Sequence, residues 1–320
     1  MDAMATIACV GGTLETATLG FTLIHEHLRV RSDAVAAQWP HLYDEARELA
    51  AAIAQVRAAQ ARGVATIVDP TVLGLGRDVR FMQRVVNATS IQVLAATGLY
   101  TYHDLPFYFA NRSVRRMSEV FVHDIEQGIQ GTSTRAALLK CATDAPGITP
   151  GVEKVIRAVA QAHRQTGVPI MTHSYPANGS GALQQDVLAE EDVDLSRVLI
   201  GHSGDSDDLD YLMRIADRGS FLGMDRYGLD DILPAARRNA TIVALCERGY
   251  ADRMMLSQDA CAAIDWFDEE KVRQRLPNWT MTYIPDEVLP ALRMAGVSEA
   301  HIQQMTVANP RRFFERQGGY

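Results

Sequence analysis

The chain has 320 residues, 47% of them hydrophobic and 22% charged, with 31 Lys and Arg against 39 Asp and Glu for a net charge of −8. This much apolar material builds a large core and excludes a disordered chain, while an acidic balance without a long basic cluster argues against nucleic acid as a partner. No apolar run approaches the roughly 18 residues a membrane helix needs, so no membrane partner is expected either.

Eight short β-branched or apolar runs follow one another along the chain: Thr22–His27, Ala65–Asp69, Gln92–Thr97, Ala137–Cys141, Pro169–His173, Val198–His202, Phe221–Asp225 and Met254–Asp259. Their near-continuous apolar character suits strands buried on both faces. Between them the spacing predicts helices, among them Glu45–Arg62, Gly151–Thr166, Asp207–Arg218 and Thr241–Arg248, which stop just before Gly63, Gly167, Gly219 and Gly249 in the manner of glycine caps. Eight βα units predict an α/β fold, a (β/α)8 TIM barrel forming one domain over 1–320, with a doubly wound open sheet as the alternative. Polar residues favour the barrel because they fall at the strand ends: His25, His27, Asp69, Tyr100, Lys140, His173, His202, Asp225 and Asp259. In a barrel these ends meet at one rim, where active sites of this fold lie.

Cys9, Cys141, Cys246 and Cys261 form no closely spaced pair, and the first residues, MDAMATIACVGG, lack a basic segment followed by a long apolar one. Free thiols and no secretory leader predict a cytoplasmic protein.

His25 and His27 are two apart in a strand, so both imidazoles face one way and can ligate one metal. Alone this pattern is weak; with His173, His202 and Asp259 at the same rim, a shared metal supplies partners for groups that would each be costly to bury alone. Lys140, inside the apolar run ALLKC, either snorkels to the rim or loses its proton and acts as a nucleophile. The second case leads to a Schiff base or to a carbamate formed with carbon dioxide, and the surrounding histidines favour the carbamate. Asp69 and Asp225 are read as supports for the ligands.

The blocks GFTLIHEHL (Gly20–Leu28), THS (Thr172–Ser174) and GHSGD (Gly201–Asp205), with Lys140 and Asp259, resemble the phosphotriesterase family of the amidohydrolase superfamily. DPTVLGLGRD (Asp69–Asp78), ATGLYTYHDLPFYF (Ala96–Phe109), GMDRYGLD (Gly223–Asp230) and NPRRFF (Asn309–Phe314) resemble its phosphotriesterase-like lactonase branch, so the likeness runs from about Leu19 to Phe314. The resemblance implies two divalent transition metals (zinc, iron, cobalt or manganese). His25, His27 and Asp259 would hold the buried ion and His173 and His202 the exposed one, with N6-carboxylated Lys140 and a hydroxide bridging both. Gln258 departs from the histidine expected before the aspartate and is read as altering hydrogen bonds around it.

The implied activity is opening of N-acyl homoserine lactones and other γ- and δ-lactones, a quorum-quenching type of reaction, with a secondary organophosphate triesterase activity. Hydroxide would attack the carbonyl, Tyr100 would assist the oxyanion, and Asp259 would carry the proton to the leaving alkoxide. Cys261, Trp266, Phe267 and Trp279 on the segment after the last strand either pack it down or form an acyl channel, with Tyr102 and Arg226 at its mouth. A homodimer is also implied. A dedicated phosphotriesterase, an amide hydrolase, a Schiff-base aldolase and a noncatalytic lactone-binding module are the alternatives.

Overall fold

A computed structural model describes residues 5–315 and 318–320. Residues 1–4 of the stretch read above for a leader, and residues 316–317 of the expected 1–320 domain, lie outside the described residues.

The described chain opens with an antiparallel hairpin, β1 (Thr6–Cys9) and β2 (Gly12–Glu15). Its strands are too short to stand out from an alternating pattern, and the sequence reading did not include it. Then come β3 (Thr22–Leu23), β4 (Thr66–Asp69), β5 (Gln92–Gly98), β6 (Leu138–Ala142), β7 (Ile170–His173), β8 (Val198–Ile200), β9 (Phe221–Met224) and β10 (Met254–Leu256). These eight strands are parallel and pair in strict chain order. A doubly wound sheet would reverse its order partway; this one does not. The two outer strands meet beyond their ladders, where Asp259 N–H donates to the His25 carbonyl at 3.0 Å and His27 N–H to the Ala260 carbonyl at 2.9 Å. The result is a nearly closed (β/α)8 barrel.

All eight expected strands are present, but β3, β8 and β10 stop short of their expected C-terminal ends. The chain leaves the ladder there because His202 and Asp259 take left-handed backbone conformations, with φ of 61° and 53°. Three expected helices lie close to their predicted limits, at Glu45–Gln60, Pro150–Thr166 and Leu209–Asp217. The fourth, Ala235–Glu247, starts six residues before the predicted Thr241; its polar first turns, AARRNA, masked it. No helix among the described residues is long and apolar enough to cross a membrane.

The barrel's interior is filled by inward side chains of the strands from β4 onward, including Leu138, Met171, Leu199, Phe221 and Met255, all buried. Fully burying each such chain stabilises the fold by roughly 1.5–3 kcal/mol. Alternation then fixes what stands above this layer: two residues after Leu138 comes Lys140, and two after Met171 comes His173, on the same inward face. The opposite end is closed by Phe313 and Phe314, with the Phe313 ring edge-on to Phe221 at 5.7 Å between centroids.

Candidate metal centre

Six side chains from five strand ends converge above the interior layer. Asp259 Oδ1 lies 3.3 Å from His25 Nε2 and 3.1 Å from His27 Nε2. Lys140 Nζ is 3.4 Å from His25 Nε2, and His202 Nε2 is 2.9 Å from His173 Nδ1. Ligand atoms of His25, His202 and Asp259 lie within 4.8 Å of one another.

Each imidazole is held from behind. Asp225, fully buried, takes His25 Nδ1 at 2.9 Å on one oxygen and His202 Nδ1 at 3.0 Å on the other. Thr71 Oγ1 lies 2.7 Å from His27 Nδ1, and Asp69 in turn accepts from the Thr71 hydroxyl and, at 3.0 Å, its N–H. Asp225 and Asp69 thus occupy the supporting positions expected of them. Asp144 Oδ2 is 3.1 Å from His173 Nε2. A carboxylate accepts only, so it assigns the proton to the nitrogen it faces and leaves the other nitrogen's lone pair inward.

His202 Nε2 and His173 Nδ1 therefore present two lone pairs to each other. Such an arrangement is unfavourable without a cation between them, so the donor set fits a metal centre.

Electrostatics agree with that fit. Burial lowers the pKa of His25 and His202, and takes His173 down to about 4 against the opposing pull of Asp144, leaving these imidazoles neutral as ligation requires. Burial alone would raise Asp259, but His25, His27, His202 and Arg226 hold it well below the usual carboxylate range. Lys140, 1% exposed, is lowered to about 8 by burial; its Nζ has His25 Nε2 and the Thr172 carbonyl at 3.4 Å rather than a paired carboxylate. Next to it only glycine fits at 98, since a Cβ there would stand 1.9 Å from the Lys140 carbonyl oxygen.

A cavity of about 690 Å³ opens over this cluster. His25, His27, Lys140, His173 and Asp259 line its floor, while His202 is fully buried beneath. Tyr100, Tyr102, Cys261 and Trp266 all border it, as do Leu229, Ile232, Phe267 and Trp279. The Tyr100 hydroxyl contacts that of Tyr102 and lies 3.4 Å from His173 Nδ1; burial raises the pKa of both phenols, so both stay protonated. Trp279 combines the two roles considered for the aromatics, lining the cavity while its Nε1–H donates to the Gln258 and Asp259 carbonyls at 3.1 and 3.0 Å.

One expectation changes and one gains detail. Arg226 lies at the floor rather than the mouth, with Nε donating to Asp259 Oδ2 at 3.0 Å and Nη1 to Asp205 Oδ2 at 3.1 Å; buried carboxylates draw it inward. Gln258 is fully buried, yet its amide nitrogen and oxygen bond to no described residue, so it does not support the neighbouring ligand through its side chain. Glu26 and Asp144 were missed. Glu26 had a signal, its place between two ligands; Asp144 lies in a loop, where nothing in the pattern marks it.

Residues 5–314 match the model of the phosphotriesterase family. An aryldialkylphosphatase of Saccharolobus solfataricus is 52% identical over 304 residues, covering 94% of this chain and 97% of that protein. A phosphotriesterase homology protein of Mycobacterium tuberculosis is 50% identical over 317 residues, 97% of each. The solved structure of the phosphotriesterase from Mycobacterium tuberculosis superimposes with a TM-score of 0.96 at 49% identity, over 98% of this chain and all of that one. With the same barrel and a likeness that spans nearly every residue, the chain belongs to the phosphotriesterase family.

Proposed function

We propose that the protein is a binuclear metal-dependent lactonase acting on N-acyl homoserine lactones and related γ- and δ-lactones, with secondary activity on organophosphate triesters. The observation that carries this reading is the cavity of about 690 Å³, which sets an apolar wall directly over a cluster of imidazoles, a carboxylate and a lysine. Divalent ions in such a centre make water nucleophilic near neutral pH and polarise a carbonyl or phosphoryl oxygen. His25, His27 and Asp259 would hold one ion and His173 and His202 the other, with Lys140, as a carbamate, serving as a further anionic ligand. The Lys140 lone pair attacks carbon dioxide, a C–N bond forms and the nitrogen releases a proton; an amine buried without a carboxylate partner favours that exchange of a cation for a ligating anion. Zinc, iron, cobalt and manganese all suit imidazole and carboxylate donors.

Asp259, ionised and lining the floor, accepts the proton of the attacking water. As the ring C–O bond breaks it delivers that proton to the leaving alkoxide, giving a hydroxy acid. Tyr100, kept protonated by burial, donates to the developing oxyanion. Trp266, Ile232 and Leu229 receive the acyl chain. The homodimer implied by the resemblance belongs to this reading and is checked by analytical ultracentrifugation.

A second reading, a dedicated triesterase, is supported by the 52% identity to a protein named aryldialkylphosphatase. One experiment separates the two: initial rates on a long-chain N-acyl homoserine lactone and on an aryl dialkyl phosphate, with metal-loaded and chelator-stripped protein. Fast metal-dependent lactone opening with slow triester cleavage is expected. Triester cleavage with no lactone opening would replace the first reading by the second.

A further inference from the structure

Asp259 is an aspartate in a left-handed conformation, with φ of 53°, at the point where β10 has left its ladder. Such a backbone costs an L-residue about 1–3 kcal/mol and persists only where the surroundings impose it. They do so through Glu26, fully buried between His25 and His27. Glu26 Oε1 accepts from the Ser257 hydroxyl at 2.6 Å and from the Gln258 N–H at 2.9 Å, and Oε2 accepts from the Ala260 N–H at 2.8 Å. The residues on both sides of Asp259 are thus tied through their N–H groups to one carboxylate, which uses both its oxygens. Asp225 grips His202, the other left-handed residue of the cluster, in the same way, accepting its N–H at 2.7 Å.

We propose that Glu26 is a positioning residue of the centre: it holds the backbone around Asp259 in the left-handed turn that aims the Asp259 carboxylate at His25 and His27. This rests on the reading of Asp259 as metal ligand and proton carrier. Glu26 does not line the cavity and touches no substrate; it acts through the 257–260 segment. In Glu26→Gln the shape is kept, but an amide NH2 faces a donor where an oxygen accepted, so at least one of the three bonds is lost.

A matched control stands at the other end of β10. Asn309, also fully buried, donates through Nδ2 to the Ala251 and Met254 carbonyls at 2.9 and 2.7 Å, so Asn309→Ala loosens the same strand away from the rim. Both variants are compared with the parent by cobalt content and visible spectrum, kcat and KM on the lactone, melting temperature, and amide exchange of the segment 257–260 without metal. Glu26→Gln is expected to alter the cobalt spectrum, lower kcat by about 10- to 100-fold with little change in KM, and speed exchange at 257–260. Asn309→Ala is expected to lower the melting temperature while keeping the spectrum and kcat. A parental spectrum and parental exchange in Glu26→Gln overturn the proposal, as does a fall in kcat that both variants share in proportion to melting temperature. If the parent protein binds no metal or opens no lactone, the functional reading fails while the exchange measurement still decides the clamp. Should Glu26→Gln not fold, Ser257→Ala, which removes one of the three bonds together with the acceptor of the His25 N–H, takes its place, with exchange at 257–260 as the deciding readout.

Discussion

At the floor of the barrel Phe221, Phe313 and Phe314 meet edge to face around an apolar layer; at the rim, a few residues further along the same strands, imidazoles, carboxylates and a lysine crowd together. The floor gains its stability from area removed from water, each side chain contributing nearly independently. At the rim every group depends on a particular partner, and two backbone positions sit in a conformation they would not choose alone. Substitution at the floor therefore removes stability and leaves chemistry, while substitution at the rim does the reverse.

On the proposed reading the largest effect expected is for Lys140→Ala, which would remove the ligand assigned to both ions: metal content falls and lactone turnover drops to that of chelator-stripped protein, with partial rescue by a short carboxylate such as propionate. Full metal content and turnover in this variant would erase the distinction as drawn for Lys140. Phe221→Ala tests the floor. Calorimetry should record a loss of about 3–5 kcal/mol, while kcat of the folded fraction stays at the parental value. Tyr100→Phe sharpens the rim: kcat should fall by about 100- to 1,000-fold with metal content unchanged, and unaltered turnover would reduce Tyr100 to a wall residue.

The smallest effect concerns a polar spot on the floor side, where His163 Nε2 meets the Tyr320 hydroxyl at 2.9 Å and Nδ1 the Val168 carbonyl at 2.7 Å. Burial lowers the His163 pKa from 6.5 to about 4. The folded state thus binds fewer protons than the unfolded one in that window, so the His163 contribution to stability is intact above pH 6.5 and is lost as pH falls toward about 4. Melting temperatures of the parent and of His163→Gln should converge on acidification across this range; a constant difference would show that His163 does not titrate as described.

The strands were legible because parallel strands buried on both faces read as apolar runs, and Lys140 and His173 were legible because each follows a core residue by two positions on an inward face. Arg226 was placed too far out, since its depth depends on Asp205 and Asp259 in other units, which no local pattern displays. Glu26 escaped despite its place between two ligands, because its partners lie across the barrel's seam, and Asp144 because it lies in a loop. The change at Gln258 was visible in the sequence, but that its buried amide bonds to no described residue depends on surroundings that no local pattern displays.

The seam between β3 and β10 carries a consequence for how the protein is made. Glu26 and Ala260, bonded across it, are 234 residues apart in sequence. Contacts of such separation form late, because the intervening chain must first be brought together, and during synthesis the earlier units emerge first. On the proposed assignment of ligands, His25 and His27 therefore wait on the nascent chain for Asp259, and capture of metal would report that the ring of strands has closed.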